Sequence, residues 1–136
     1  MQALTLAAEP GSLAQVLAFV RQGASEAQLS EERAAQLELV MEEILMNLSK
    51  HAYPHDAPGQ VELRYSIPSP GELRMEVADR GREFDPTAAA APDLTLDLAN
   101  RPVGGLGIFL IRSFADSLSY RREDGWNRLT FAISAG

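Results

Sequence analysis

The sequence predicts an α+β fold, a two-layer sandwich whose mostly antiparallel mixed sheet carries its helices on one face. Three observations predict it. The apolar period is 3.6 residues over much of the first fifty and changes to two from Val61 onward. Alternating segments come in pairs joined by short turns, at Pro68-Ser69-Pro70-Gly71 and at Asp124-Gly125, as antiparallel neighbours require. The order is strand, helix, helix, two strands, loop, helix, two strands, which segregates helices from an antiparallel sheet.

Residues Gln2 to Ala8 read as a short strand. Pro10-Gly11-Ser12 supplies a turn and an N-cap for a helical stripe of Leu13, Val16, Leu17 and Val20, and Gly23 is expected to end that helix. After a polar link from Ala24 to Leu29, Ser30 can cap a second helix, with Glu31 and Glu32 at its positive end. Its stripe is Leu37, Val40, Met41, Ile44, Leu45 and Leu48, and Tyr53-Pro54 stops it.

Val61, Leu63, Tyr65 and Ile67 then alternate with Glu62, Arg64 and Ser66, the pattern of a strand with one buried face. Leu73, Met75 and Val77 alternate with Glu72, Arg74 and Glu76 on the returning strand of a hairpin. Asp85 to Arg101 is rich in Ala, Pro and Asp and lacks a sustained period, so it reads as a loop. Gly104-Gly105-Leu106-Gly107 opens a helix to about Asp116. Two strands follow across Asp124-Gly125, the last burying Leu129, Phe131 and Ile133.

With 136 residues, 46% hydrophobic and 23% charged, the chain has the size and balance of one domain, residues 1–136. It contains no cysteine, which excludes disulfides and thiolate metal sites and fits a cytoplasmic location. Neither a secretory leader nor an apolar run long enough to span a bilayer is present, so secretion and membrane insertion are not expected. A formal charge of −7, from 12 basic and 19 acidic residues, argues against a sequence-independent grip on nucleic acid. An anionic ligand must be held by backbone N–H groups, a metal ion or a few placed basic side chains.

Three segments carry candidate chemistry. Glu43, Asn47 and His51 are spaced four apart, which puts them in one row on the flank of the second helix's apolar stripe, with Lys50 nearby. A solvated helix flank has the same pattern. Continuing the alternation of Leu73, Met75 and Val77 places Asp79 on the core face, where a carboxylate needs a donor. It can cap a turn or, with Gly81 just after it, accept from the exocyclic amino group of a base. The Gly104-Gly105-Leu106-Gly107 turn before a helix offers N–H groups to phosphate oxygens, but its spacing is neither a dinucleotide fingerprint nor a Walker A loop. His51 and His55 do not make a zinc site, because Pro54 interrupts the helix between them and no further His or Cys completes a ligand set.

Taken in order, these residues resemble the GHKL (Bergerat-fold) ATPase superfamily, and within it the anti-sigma-factor serine kinases of the RsbW and SpoIIAB type. Glu43-Ile44-Leu45-Met46-Asn47 with Lys50-His51-Ala52-Tyr53 is similar to the asparagine box. Asp79-x-Gly81 with Phe84-Asp85-Pro86 is similar to the first glycine box, and Gly104-Gly105-Leu106-Gly107-Ile108 to the second. Asn127-Arg128-Leu129-Thr130 is similar to the last strand of that family. Glu83 departs from the pattern, standing where many members have glycine.

The resemblance implies ATP and Mg²⁺ as cofactors. It makes Asn47 the Mg²⁺ ligand, Glu43 the general base, Asp79 the partner of the adenine amino group, and the segment before Gly104 an ATP lid, Thr87 to Val103. Lys50 and Arg101 become phosphate contacts, and His51, Gly81, Phe84, Gly104, Gly105, Leu106, Gly107, Ile108 and Thr130 further nucleotide contacts. The implied activity is a serine/threonine protein kinase that is also an anti-sigma factor. Its implied partners are an anti-anti-sigma protein of the STAS type, a sigma factor and a second copy of the chain. A non-enzymatic, nucleotide-gated switch that grips a partner is the alternative, and Glu43 discriminates, since pure binding needs no base. A sensor histidine kinase fragment is disfavoured because no helix with a phosphoacceptor histidine precedes the domain.

Overall fold

The computed structural model describes residues 2–49, 59–81, 111–113 and 115–134. Strand β1 (Gln2–Ala7) leads through a 3₁₀ turn (Pro10–Ser12) into helix α1 (Leu13–Glu26), followed by α2 (Glu31–Asn47). The strands β2 (Gln60–Ser69), β3 (Glu72–Asp79), β4 (Ser117–Glu123) and β5 (Trp126–Ser134) complete one sheet in the order β1-β2-β3-β5-β4. All four pairings among the described strands are antiparallel, so no parallel pair is among them. Two hairpins, β2–β3 and β4–β5, are joined through the central β3–β5 pairing.

Both helices pack on the same face. Val16 of α1 and Met41, Ile44, Leu45 and Leu48 of the second helix surround a small apolar cavity with Val61, Leu63 and Val77 of the sheet. The core continues through Tyr65, Leu73, Met75, Leu129, Phe131 and Ile133, the residues that the period of two places on that face. Opposite residues of the strands form a polar outer face, where Arg128 and Glu76 pair across β5 and β3 at 2.9 Å.

Local signals explain most element ends. Ser30 caps α2, its hydroxyl accepting from the Arg33 N–H at 3.2 Å, with Glu31 and Glu32 in the first turn. Asp124 and Gly125, with φ of 52° and 83°, form the tight turn between Glu123 and Trp126, as expected of a type I′ hairpin. Ser12 differs from expectation: it precedes α1 but is buried in a helical conformation and makes no side-chain cap.

Gly23 also differs. It does not end α1, which runs on to Glu26, but lies buried in it, where an added Cβ would stand 3.2 Å from the Tyr65 ring. The glycine is there for close approach to the sheet. The helix ends at Gln28, whose left-handed φ of 60° lets the Leu29 N–H reach Ala24 O and the Gln28 N–H reach Ser25 O, a Schellman arrangement. Of the last predicted helix, residues 111–113 are helical, with Ile111 fully buried, and the Asp116 N–H then joins Ala132 O as the chain enters the sheet.

Candidate functional site

Helix α2 brings Glu43 and Asn47 to one flank, and both are half-buried beside the fully packed stripe of Leu37, Val40, Met41, Ile44 and Leu45. Leu48 and Ser49 extend the helix in a wider π-type turn, with the Ser49 hydroxyl donating to Met46 O at 3.0 Å. The sheet under this end of the helix is the end that carries Asp79. Leu48 and Val61 line the same cavity, and Val61 lies opposite Asp79 in the β2–β3 register.

Asp79 closes β3 on the core face, only 5% exposed. One carboxylate oxygen, Oδ1, accepts from the Gly81 N–H at 2.8 Å, so the aspartate caps the turn that follows it. The same oxygen accepts from the Asn127 amide nitrogen at 3.2 Å. Asn127 opens β5, pairs in register with Asp79 and is 7% exposed. Protein donors thus serve Oδ1, and no ligand is required to satisfy that oxygen. The carboxylate is held in place by both donors.

The network continues to the edge strand. The Asn127 carbonyl oxygen accepts from the Tyr120 hydroxyl at 2.6 Å and from an Arg122 guanidinium N–H at 3.1 Å. Arg122 also donates to Gly81 O at 2.7 Å, which the Asn127 amide reaches at 3.3 Å. Four residues of three strands, with Gly81 of the turn after β3, therefore meet around the β3 terminus.

Thr130 does not join them. It is three residues beyond Asn127, and the alternation of β5 turns it to the outer face, opposite Glu76 and Ser119. The contribution of the last strand to Asp79 is Asn127. Lys50, His51, Phe84, Arg101, Gly104, Gly105, Leu106, Gly107 and Ile108, with Glu83 and the expected lid from Thr87 to Val103, lie outside the described residues.

Sequence reasoning also missed Tyr120 and Arg122. The signal was present: counting outward from the Asp124-Gly125 turn places Arg122 opposite Asn127, and the parity of Leu129, Phe131 and Ile133 places Asn127 on the core face. What alternation alone does not reveal is that these residues converge on the end of a third strand.

The family model described as a histidine kinase-like ATPase domain matches residues 6–133. The chain belongs to this family. The match runs through the described parts of the site, from α2 through Asp79 to Asn127, and through the glycine-rich segment between. Among characterised proteins, the chain is 38% identical over 94 residues to the serine/threonine-protein kinase BtrW of Bordetella bronchiseptica, covering 69% of this chain and 66% of that one. It is 29% identical over 106 residues to the serine-protein kinase RsbW of Listeria monocytogenes, covering 75% and 67%. The matched region thus spans about two thirds of the length of these relatives.

Solved structures agree on the fold. The RsbU and RsbW domains of Rv1364c from Mycobacterium tuberculosis superpose with a TM-score of 0.61 at 16% identity, covering 98% of this chain and 32% of that one. The blue-light activated histidine kinase of Erythrobacter litoralis EL346 gives 0.57 at 21% identity, covering 92% and 41%. Among the described residues no helix is long and apolar enough to cross a membrane.

Proposed function

We propose that the chain, as one domain, binds Mg-ATP and transfers the γ-phosphoryl group to a serine or threonine of a regulatory protein. The observation that carries this reading is the family match over residues 6–133 together with a buried, doubly anchored Asp79 beside the helix end that bears Glu43 and Asn47. Asp79 is the acceptor for the exocyclic amino group of adenine, held by Gly81 and Asn127 so that little ordering is left for the moment of binding. Glu43 takes the proton of the attacking hydroxyl as the new O–P bond forms and the bond to the β-phosphate oxygen breaks, releasing ADP.

The donors available fit a hard cation. A divalent ion on the phosphates supplies charge neutralisation, and this chain offers it the Asn47 amide oxygen one helical turn from the Glu43 carboxylate. Lys50 and Arg101 add phosphate contacts in the same reading. The named relatives are serine or serine/threonine kinases. With the sequence resemblance, this supports an anti-sigma factor working in the cytoplasm as a homodimer, whose phosphoacceptor is an anti-anti-sigma protein of the STAS type and whose captive is a sigma factor.

The test is transfer of labelled phosphate from ATP to candidate STAS-type proteins. Wild type should label a serine or threonine. Glu43→Gln keeps shape and helix propensity while removing the base, so transfer should fall by about two orders of magnitude with ADP affinity unchanged. Transfer by Glu43→Gln at the wild-type rate overturns the base assignment. A wild type that binds ATP and labels no partner leaves the nucleotide-gated switch as the better description.

A further inference from the structure

Asparagine can turn its amide by 180° with almost no change in shape, so the neighbours decide which end faces Asp79. If the oxygen faced Asp79, two acceptors would be buried against each other, and the Gly81 carbonyl would add a third. The observed orientation is the reverse: the Asn127 amide nitrogen lies 3.2 Å from Asp79 Oδ1 and 3.3 Å from Gly81 O, and the carbonyl oxygen faces β4.

The two groups facing that oxygen are not equivalent. A tyrosine hydroxyl can donate or accept, so Tyr120 would accommodate either amide orientation. A guanidinium only donates. Arg122, at 3.1 Å from Asn127 Oδ1 and 2.7 Å from Gly81 O, therefore braces the orientation that Asp79 and the Gly81 carbonyl, both acceptors, require of the amide. It also grips the backbone one peptide beyond the Asp79 turn, on the opposite side from the Gly81 N–H that the aspartate holds.

The geometry points to Arg122 as a positioning residue for base selection. By bracing Asn127 and the Gly81 carbonyl, it holds the Asp79 carboxylate in one direction, and so favours a base carrying an exocyclic amino at that point over one carrying a keto oxygen. Tyr120 reinforces the same orientation from the second lone pair. This inference rests on the proposed role of Asp79 in binding adenine, and adds to it a reason why the pocket rejects the keto form.

The experiment compares ADP with inosine diphosphate, whose keto oxygen replaces the amino group, by calorimetry with Mg²⁺ on the full chain. Wild type should prefer ADP. Arg122→Met, which keeps length and apolar stem but has no donor, should reduce that preference about tenfold through weaker ADP binding, with inosine diphosphate bound within about twofold of wild type. Arg122→Lys, still a donor without acceptor capacity, should recover most of the preference. Tyr120→Phe should lower it about threefold.

A purely structural role would weaken both nucleotides alike and leave their ratio unchanged. An unchanged ratio in folded Arg122→Met overturns the inference while leaving Asp79 in its role. If Arg122→Met does not fold, an unchanged ratio in Tyr120→Phe overturns it instead. A wild type that binds both nucleotides equally, or neither, removes the Asp79 role and this inference with it.

Discussion

Tyr65 and Asp79 are both buried on the core face of the sheet, and they are anchored in different ways. Tyr65, 2% exposed in the middle of β2, donates its hydroxyl to Glu26 at the end of α1 at 2.8 Å. Its ring packs against Phe19 at 5.0 Å between centroids and against the backbone of Gly23. Gln22 also hydrogen-bonds that hydroxyl, so the tether runs out to two exposed side chains of the same helix. Asp79, at the end of β3, is instead held within a hydrogen-bonded set whose described members include Gly81, Asn127, Tyr120 and Arg122. A tether fastens a helix to a sheet. A set of several donors fixes the direction of an acceptor, which the proposed adenine contact of Asp79 would need and packing alone would not.

The comparison breaks first at Asp79. Asp79→Asn keeps volume but gives the adenine amino group a poorer and misdirected acceptor, so affinity for ADP should fall about a hundredfold while thermal stability changes little. Calorimetry and a melting curve on the same protein check both halves. Equal ADP affinity in mutant and wild type would show the hydrogen-bonded set to be structural, like the Tyr65 tether.

At the other region, the expected effects reverse. Gly23→Val forces a branched side chain against the Tyr65 ring, which Phe19 and the Glu26 hydrogen bond keep from moving away. Overpacking and lost helix propensity should cost about 2 kcal/mol in a urea titration, with the ratio of ADP to inosine diphosphate affinity unchanged. A shift in that ratio would mean that the two regions are coupled through the sheet.

The smallest effect belongs to Tyr65→Phe, which removes a hydroxyl held by the exposed Glu26 and Gln22 and should cost about 1 kcal/mol at neutral pH. Burial, and then the hydrogen bond and charge of Glu26, push the Tyr65 hydroxyl from 10.0 up to about 12. Because the folded state holds this proton more tightly than the unfolded one, stability is retained below pH 10 and declines as pH rises toward 12. Tyr65→Phe should be less sensitive across that window. Parallel alkaline melting curves for wild type and mutant would show the tether to be irrelevant to stability.

From periodicity, the sequence by itself determined the architecture: two amphipathic helices, two hairpins and the identity of the buried residues, since each follows from a local rule of 3.6 or two. It also determined the Ser30 cap and the Asp124-Gly125 turn, where a side-chain acceptor or a left-handed backbone acts within a few residues. Glu43, Asn47 and Asp79 were legible because a helix row and a strand face are properties of one element. The strand's alternation turns Thr130 to the outer face and Asn127 toward Asp79, a distinction that family likeness alone does not carry. Gly23 was read as a stop because glycine's local meaning is a break, whereas its packing against Tyr65 arises between residues 42 apart, the span from 23 to 65. Only the tertiary structure decided that the Asn127 amide nitrogen faces Asp79 while its oxygen faces Tyr120 and Arg122, because hydrogen-bond polarity is settled by which groups meet in space, and these come from three strands brought together by the β3–β5 and β4–β5 pairings.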